Sequence, residues 1–157
     1  MKRLATLLAA ALMLTQAHAG GIAPRDGWAV HDTAQGYAEL LGNLKAAVKA
    51  EGMFVVTEAG PTEAAKNRGI TIPGNRVVGV YRNDFAVRAL ETSTAAMIEA
   101  PIRFYVTENA DGTATLSYKT PSAVFAPYLD EGGDALAGIA TELDAIFAAI
   151  AARAAAQ

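Results

Sequence analysis

The chain of 157 residues contains no cysteine. That absence removes disulfides, thiol nucleophiles, cysteine-ligated zinc, covalent c-type haem and lipid attachment at a cysteine. Histidine is nearly as scarce, with two in the whole chain, His18 and His31. A protein metal site usually draws on three or four ligands, so no metal centre is expected and no cofactor is called for. No run of lysine or arginine occurs, and the formal net charge is −3. Nucleic-acid binding needs clustered cations against phosphate, so that class is set aside. No Gly-x-Ser-x-Gly elbow is present, and no run of alternating acids and amides around a glycine of the kind that holds calcium.

What is present begins with an export pattern. Met1, Lys2 and Arg3 form a short basic start, and Leu4 to Leu14 is an apolar run broken only by Thr6. Ala17-His18-Ala19 then offers the small-x-small motif that signal peptidase cuts after, and the run is too short to span a bilayer. Cleavage between Ala19 and Gly20 is expected, leaving 138 of the 157 residues and moving the formal charge from −3 to −5 with the loss of Lys2 and Arg3. The expected compartment is periplasmic or extracellular. The mature chain then holds one imidazole, His31.

Periodicity outlines a single α+β domain over 20–157. Trp28 to His31 reads as a strand, with Asp32 or Thr33 as a helix cap. Tyr37, Leu40, Leu41, Leu44 and Val48 recur at helical spacing, and Gly52 suits a helix end. Met53 to Thr57 reads as a strand. Pro61 to Arg68 reads as a short helix, and 76–82 as a strand. Another short helix is expected from Asn83 or Asp84. Ile102 to Thr107 alternates strictly, Asn109-Ala110-Asp111-Gly112 carries turn chemistry, and Thr113 to Lys119 returns, which predicts an antiparallel hairpin with one wet face. Residues 121–133 read as a loop. Leu136, Ile139, Leu143, Ile146, Phe147 and Ile150 then stripe a long helix from about Asp134 to Ala155. Glu142 and Asp144 near its middle argue against a membrane span. The expected architecture is a mostly antiparallel sheet of about five strands with two long helices on one face.

Four pieces in order resemble the domain of unknown function 302 family: Gly52-Met53-Phe54-Val55-Val56; Ala64-Ala65-Lys66-Asn67-Arg68-Gly69-Ile70 followed by Pro73 and Val77-Val78-Gly79-Val80-Tyr81; Ala100-Pro101-Ile102-Arg103 with Phe104 and Val106; and Asp111-Gly112 with Leu116, Tyr118 and Pro121. The resemblance implies a compact α+β domain that pairs as a homodimer, and it supplies no mechanism. Ala100-Pro101-Ile102 stands where many members look to have Leu-Pro-Cys or Leu-Pro-Leu. Gly60-Pro61 stands where members often show an acid-histidine pair. No role of that cysteine or histidine carries over.

The candidate chemistry is thin. His31 suits a general base near neutral pH or an axial haem ligand; its plain reading is a strand-end surface residue. Ser93, Ser117 and Ser122 are the serines a hydrolytic triad would draw on. Glu142 and Asp144, two apart on a helix, face apart, and Asp130 and Glu131 read as solvated loop acids. Arg103 and Tyr105 share one strand face. With Arg76 and Tyr81 on a neighbouring strand they would make a cation-and-phenol surface suited to a small anionic ligand or a dimer partner, or simply a solvated sheet face. The alanine-lined back of the last helix reads as helix propensity or as a close helix approach. Two classes of function follow. One is a non-enzymatic exported module that binds a small ligand or an envelope protein and acts as a homodimer. The other is a haem-handling or hydrolytic envelope enzyme using His31.

Overall fold

The structure, a computed structural model, describes residues 21–156. The expected export segment and the Ala19–Gly20 cut lie outside the described residues. Five strands form one sheet: β1 (Trp28–Gly36), β2 (Phe54–Ala59), β3 (Asn75–Tyr81), β4 (Ile102–Glu108) and β5 (Thr113–Lys119). Their order is β1-β5-β4-β3-β2, and every neighbouring pair is antiparallel. Strands β2 to β5 are thus a meander, and β1 joins it along β5.

Strict alternation decides what each face of the sheet carries. Ile102, Phe104 and Val106 of β4 are buried on one face with Ala114, Leu116 and Tyr118 of β5 and Val78 and Val80 of β3. That face is covered by α1 (Tyr37–Ala50) and α5 (Leu129–Ala155), with the short helices α3 (Asn83–Thr92) and α4 (Pro121–Phe125) packed against α5. Helix α1 turns in Leu40, Leu44, Ala47 and Val48; α5 turns in Leu136, Ile139, Leu143, Phe147 and Ile150. Each apolar side chain of this size removed from water contributes about 1.5–3 kcal/mol before entropy is counted. The centre of the contact is aromatic. Phe147 stacks on Phe104 with ring centroids 4.7 Å apart, and Tyr118 tilts against both at 4.9 and 5.6 Å. A short helix, α2 (Thr62–Lys66), lies in the β2–β3 connection.

The two-helix, five-strand antiparallel fold is the one the periodicity predicts. Three local expectations are corrected. Neither Asp32 nor Thr33 caps α1: the strand runs on to Gly36, the helix starts at Tyr37, and no side chain caps it. Asp32 instead accepts a hydrogen bond from Thr115 at 2.8 Å, and Thr33 donates to the Ala114 carbonyl at 2.7 Å, so both residues tie β1 to β5. Residues 121–133 are helical rather than a loop. They form α4, a 3-10 turn over Ala126–Tyr128 and the first turn of α5. Gly133 (φ 54°, ψ −150°) breaks that helix, so its regular part begins at Asp134, where the periodicity placed it. The hairpin's polar face is not wet along β5, because Thr115 and Ser117 are fully buried. Strand β5 lies between β1 and β4, and the segment leading into β1 brings Gly21 against Thr115 and Asn109.

Gly52 closes α1 in the left-handed region (φ 71°), which costs a residue without a Cβ little. Among the described residues one helical stretch, Pro121–Ala155, is long and apolar enough to cross a membrane by length and composition. Here its apolar stripe faces the sheet and α1. At its far end the buried Gln35 amide donates to the Ala154 carbonyl (2.8 Å) and accepts from Asn43 (2.9 Å), joining β1, α1 and α5.

Two glycines separate packing from propensity. A Cβ at Gly79 would strike the Thr57 hydroxyl and come within 2.8 Å of Pro101, whereas one at Gly42, exposed in mid-helix, meets nothing. Gly79→Ala is expected to lower stability by about 1–3 kcal/mol, and Gly42→Ala to raise it by about 0.5–1 kcal/mol. Urea midpoints at constant m-value report both. A Gly79→Ala protein as stable as the parent would refute the packing described at β2, β3 and β4.

Candidate functional site

Among the described residues the sheet's second face carries no helix. Trp28 and Val30 of β1, Asn75, Val77 and Tyr81 of β3, Arg103, Tyr105 and Thr107 of β4, and Lys119 of β5 point to it by register. On this face lies a hollow of about 340 Å³, within the range of small-molecule sites. Trp28, Asn75, Val77, Arg103, Tyr105 and Lys119 line it from four strands. Glu99, just before β4, and Val124, just after β5, close the end where those strands meet α4.

The hollow carries charges of both signs, Arg103 and Lys119 against Glu99. Arg103 and Lys119 are exposed, and neither is in an ion pair among the described residues. The Lys119 ammonium lies 5.9 Å from the centroid of the Trp28 ring, and the Arg25 guanidinium lies 5.2 Å from it. The indole therefore sits between two cations at the rim. Tyr105 accepts a hydrogen bond from the Asn75 amide, which orients both polar ends. Glu99 accepts a hydrogen bond from the Tyr128 hydroxyl at 2.8 Å, and that bond is the first cause of the raised pKa of the phenol, followed by desolvation.

The four residues expected to form a cation-and-phenol surface are divided by the sheet. Arg103 and Tyr105 line the hollow. Tyr81 shares their face but stands at the other end of β3, opposite Phe54 of the edge strand β2, with its hydroxyl 3.3 Å from Asn83. Arg76 pairs with Val106 and so takes the helix-covered face, where its Nε is buried without a partner. Arg76 and Tyr81 are five apart on one strand, and an odd separation places two residues on opposite faces. That part was legible from parity alone. Trp28 enters the site through the pairing of β1 with β5, Asn75 through the register of β3 on β4, and Glu99 through the closing of the sheet's end, none of which local spacing encodes.

His31 is not at this site. It pairs with Leu116, on the helix-covered side, and its ring stacks at 6.2 Å and 9° on Tyr118. Its Nε2 is buried without a hydrogen bond. Burial, and then the charge of Asp144, push the neighbouring Tyr118 phenol up. The serines are engaged elsewhere or face away. Ser93 donates to Glu131 at 2.7 Å, Ser122 bonds Asp144 through both its amide and its hydroxyl, and Ser117 stands on the opposite sheet face. Among the described residues no group of three or more His, Cys, Asp and Glu side chains is placed to hold a metal. Of the acid pairs, Glu142 forms a two-pronged bond with Arg88 of α3, which lowers its pKa.

The fold and the hollow together define a class: a one-layer antiparallel sheet, helices on one side, with an open face that carries cations and aromatics. A family model described as domain of unknown function DUF302 matches residues 30–153, and the chain belongs to that family. Its architecture is also that of the crystal structure of an uncharacterized conserved DUF302 protein from Bacillus stearothermophilus. The TM-score is 0.72 at 21% identity, over 83% of this chain and 99% of that one. At that identity the likeness is one of fold. No curated protein matches the chain.

Because the buried His31 Nε2 has no hydrogen bond to lose, an apolar replacement of similar size is expected to leave stability within about 1 kcal/mol or to raise it. His31→Leu, followed by urea denaturation, checks this. A loss beyond about 2 kcal/mol would show that the ring makes a polar interaction the geometry does not contain.

Proposed function

We propose that this protein is a non-enzymatic exported binding module, acting in the periplasm or outside the cell as a homodimer, which takes a small anionic ligand in the hollow of its open sheet face. The observation that carries the reading is that Arg103 and Lys119, in no ion pair among the described residues, stand at the rim of a hollow of about 340 Å³ beside Trp28. A surface cation without a protein partner costs nothing while solvated. Two of them converging on a concave, partly apolar site hold a carboxylate or phosphate better than water does, since charge-assisted hydrogen bonds are about twice as strong as neutral ones. The aromatic wall suits an anion with an apolar body.

The geometry lends the enzymatic alternative little support. The His31 Nε2 is shut in against the core, and no serine hydroxyl bonds the ring. The buried Nε2 presents no open coordination position, and no serine hydroxyl is placed for the ring to activate.

Trp28 is the single tryptophan of the chain, so intrinsic fluorescence reports on the site. Benzoate and inorganic phosphate are the probes. A saturable change is expected with at least one of them, and Arg103→Ala or Lys119→Ala should weaken it about tenfold. Responses identical in the parent and both variants would overturn the reading.

Dimer formation is proposed through the other half of the same face, where Phe54, opposite Tyr81, is 63% exposed. An exposed aromatic of this kind on an uncovered sheet is a common interface anchor. Native mass spectrometry of protein taken from the envelope should show a dimer of chains beginning at Gly20, and Phe54→Asp should yield monomer. A monomeric parent protein, or one that retains residues 1–19, would defeat the corresponding half of the proposal.

A further inference from the structure

The hollow is not uniformly basic. Glu99 closes one end of it, half-buried, with one oxygen accepting the Tyr128 hydroxyl and no ion pair among the described residues. A carboxylate at this position works against a ligand that carries negative charge alone, because like charges a few ångströms apart in a partly desolvated site repel by several kcal/mol. The same carboxylate is an asset if the ligand carries a positive group as well. Arg103 and Lys119 offer the complement for a negative group, and Trp28, Val77 and Val124 supply apolar wall. The Tyr128 phenol stays protonated, its pKa raised first by its bond to Glu99, so it keeps donating and holds the carboxylate in place.

We infer that the ligand is a small zwitterion with an apolar body, a free amino acid with an aromatic or branched side chain. Its carboxylate meets Arg103 and Lys119, its ammonium meets Glu99, and its side chain lies against Trp28, Val77 and Val124. This rests on the proposal that the hollow is a ligand site, and it names the ligand class. The charge pattern selects such a molecule in both directions. An amine without a carboxylate faces two unpaired cations, and a carboxylate without an amine leaves Glu99 desolvated and unpaired. Leaving a charged group unpaired on ligand binding is the main source of discrimination between otherwise similar ligands. A volume of about 340 Å³ accommodates a molecule of this size and not a long peptide.

Three probes with one ring and differing head groups test it on the mature protein: L-phenylalanine, 3-phenylpropionate and 2-phenylethylamine, followed by Trp28 fluorescence and by calorimetry. L-Phenylalanine is expected to bind at least about tenfold more tightly than either of the others, one ion pair's worth of affinity. Glu99→Gln should abolish its advantage over 3-phenylpropionate while leaving the affinity for 3-phenylpropionate unchanged or improved. Arg103→Ala should weaken both carboxylates and spare the amine. If 3-phenylpropionate binds as well as L-phenylalanine, the ammonium subsite is refuted and the anion site stands. If none of the three probes, nor benzoate or phosphate, gives heat or a fluorescence change, both readings fall.

Discussion

The structure depends on the burial of one face of an antiparallel sheet beneath two helices, fastened where Phe147 of α5 stacks on Phe104 and both meet Tyr118. Aromatic rings bury large areas and gain further from offset and tilted contact. A chain with no cysteine has no covalent alternative to this contact. The strands must therefore alternate cleanly, and α1 and α5 must carry continuous apolar stripes. Polar groups drawn inside must be tied off, as Gln35 is by the last turn of α5 and by Asn43.

One-sided coverage has a consequence for function. The helices take up the apolar side chains of alternate positions, and the intervening positions lie on a face that carries no helix among the described residues, although Thr107, Thr115 and Ser117 are buried there. Arg103, Tyr105, Trp28 and Lys119 stand there because the pleat puts them there. Among the described residues their cations are in no ion pair; the pairs that form, such as Arg88 with Glu142 between α3 and α5, lie elsewhere. The hollow forms where β4 begins and β5 ends, because Glu99 and Val124 on either side of those strand ends close it.

Residue by residue, the elements that the sequence foretold are those with an uninterrupted period. The β4–β5 hairpin, the stripes of α1 and α5 and the glycine at the end of α1 belong here, and so does the family likeness. Failures came where a local rule competed with a tertiary one. Asp32 and Thr33 are good helix caps by type, but a free edge of β5 was available and their oxygens bond across it. The prolines and glycines of residues 121–133 suggest a loop. Yet Thr120 caps a short helix there by accepting from the Ala123 amide, and Phe125 is buried in the core. His31 looks like a surface residue at a strand end, but it turns toward Tyr118 because its register partner is Leu116.

By itself the sequence determined the fold class, the family likeness, the presence of an export-like pattern and the chemistry that the absence of cysteine removes, since all of these follow from composition, order and period. Only the tertiary structure decided which residues share a surface. The pairing of β1 with β5 joins residues as far apart in the chain as Trp28 and Lys119, and no local propensity specifies it. That pairing carries Trp28 to Lys119, and the register of β3 on β4 sends Arg76 inward while Arg103 stays out. The candidate site is thus a product of long-range pairing, whereas its scaffold is a product of short-range pattern.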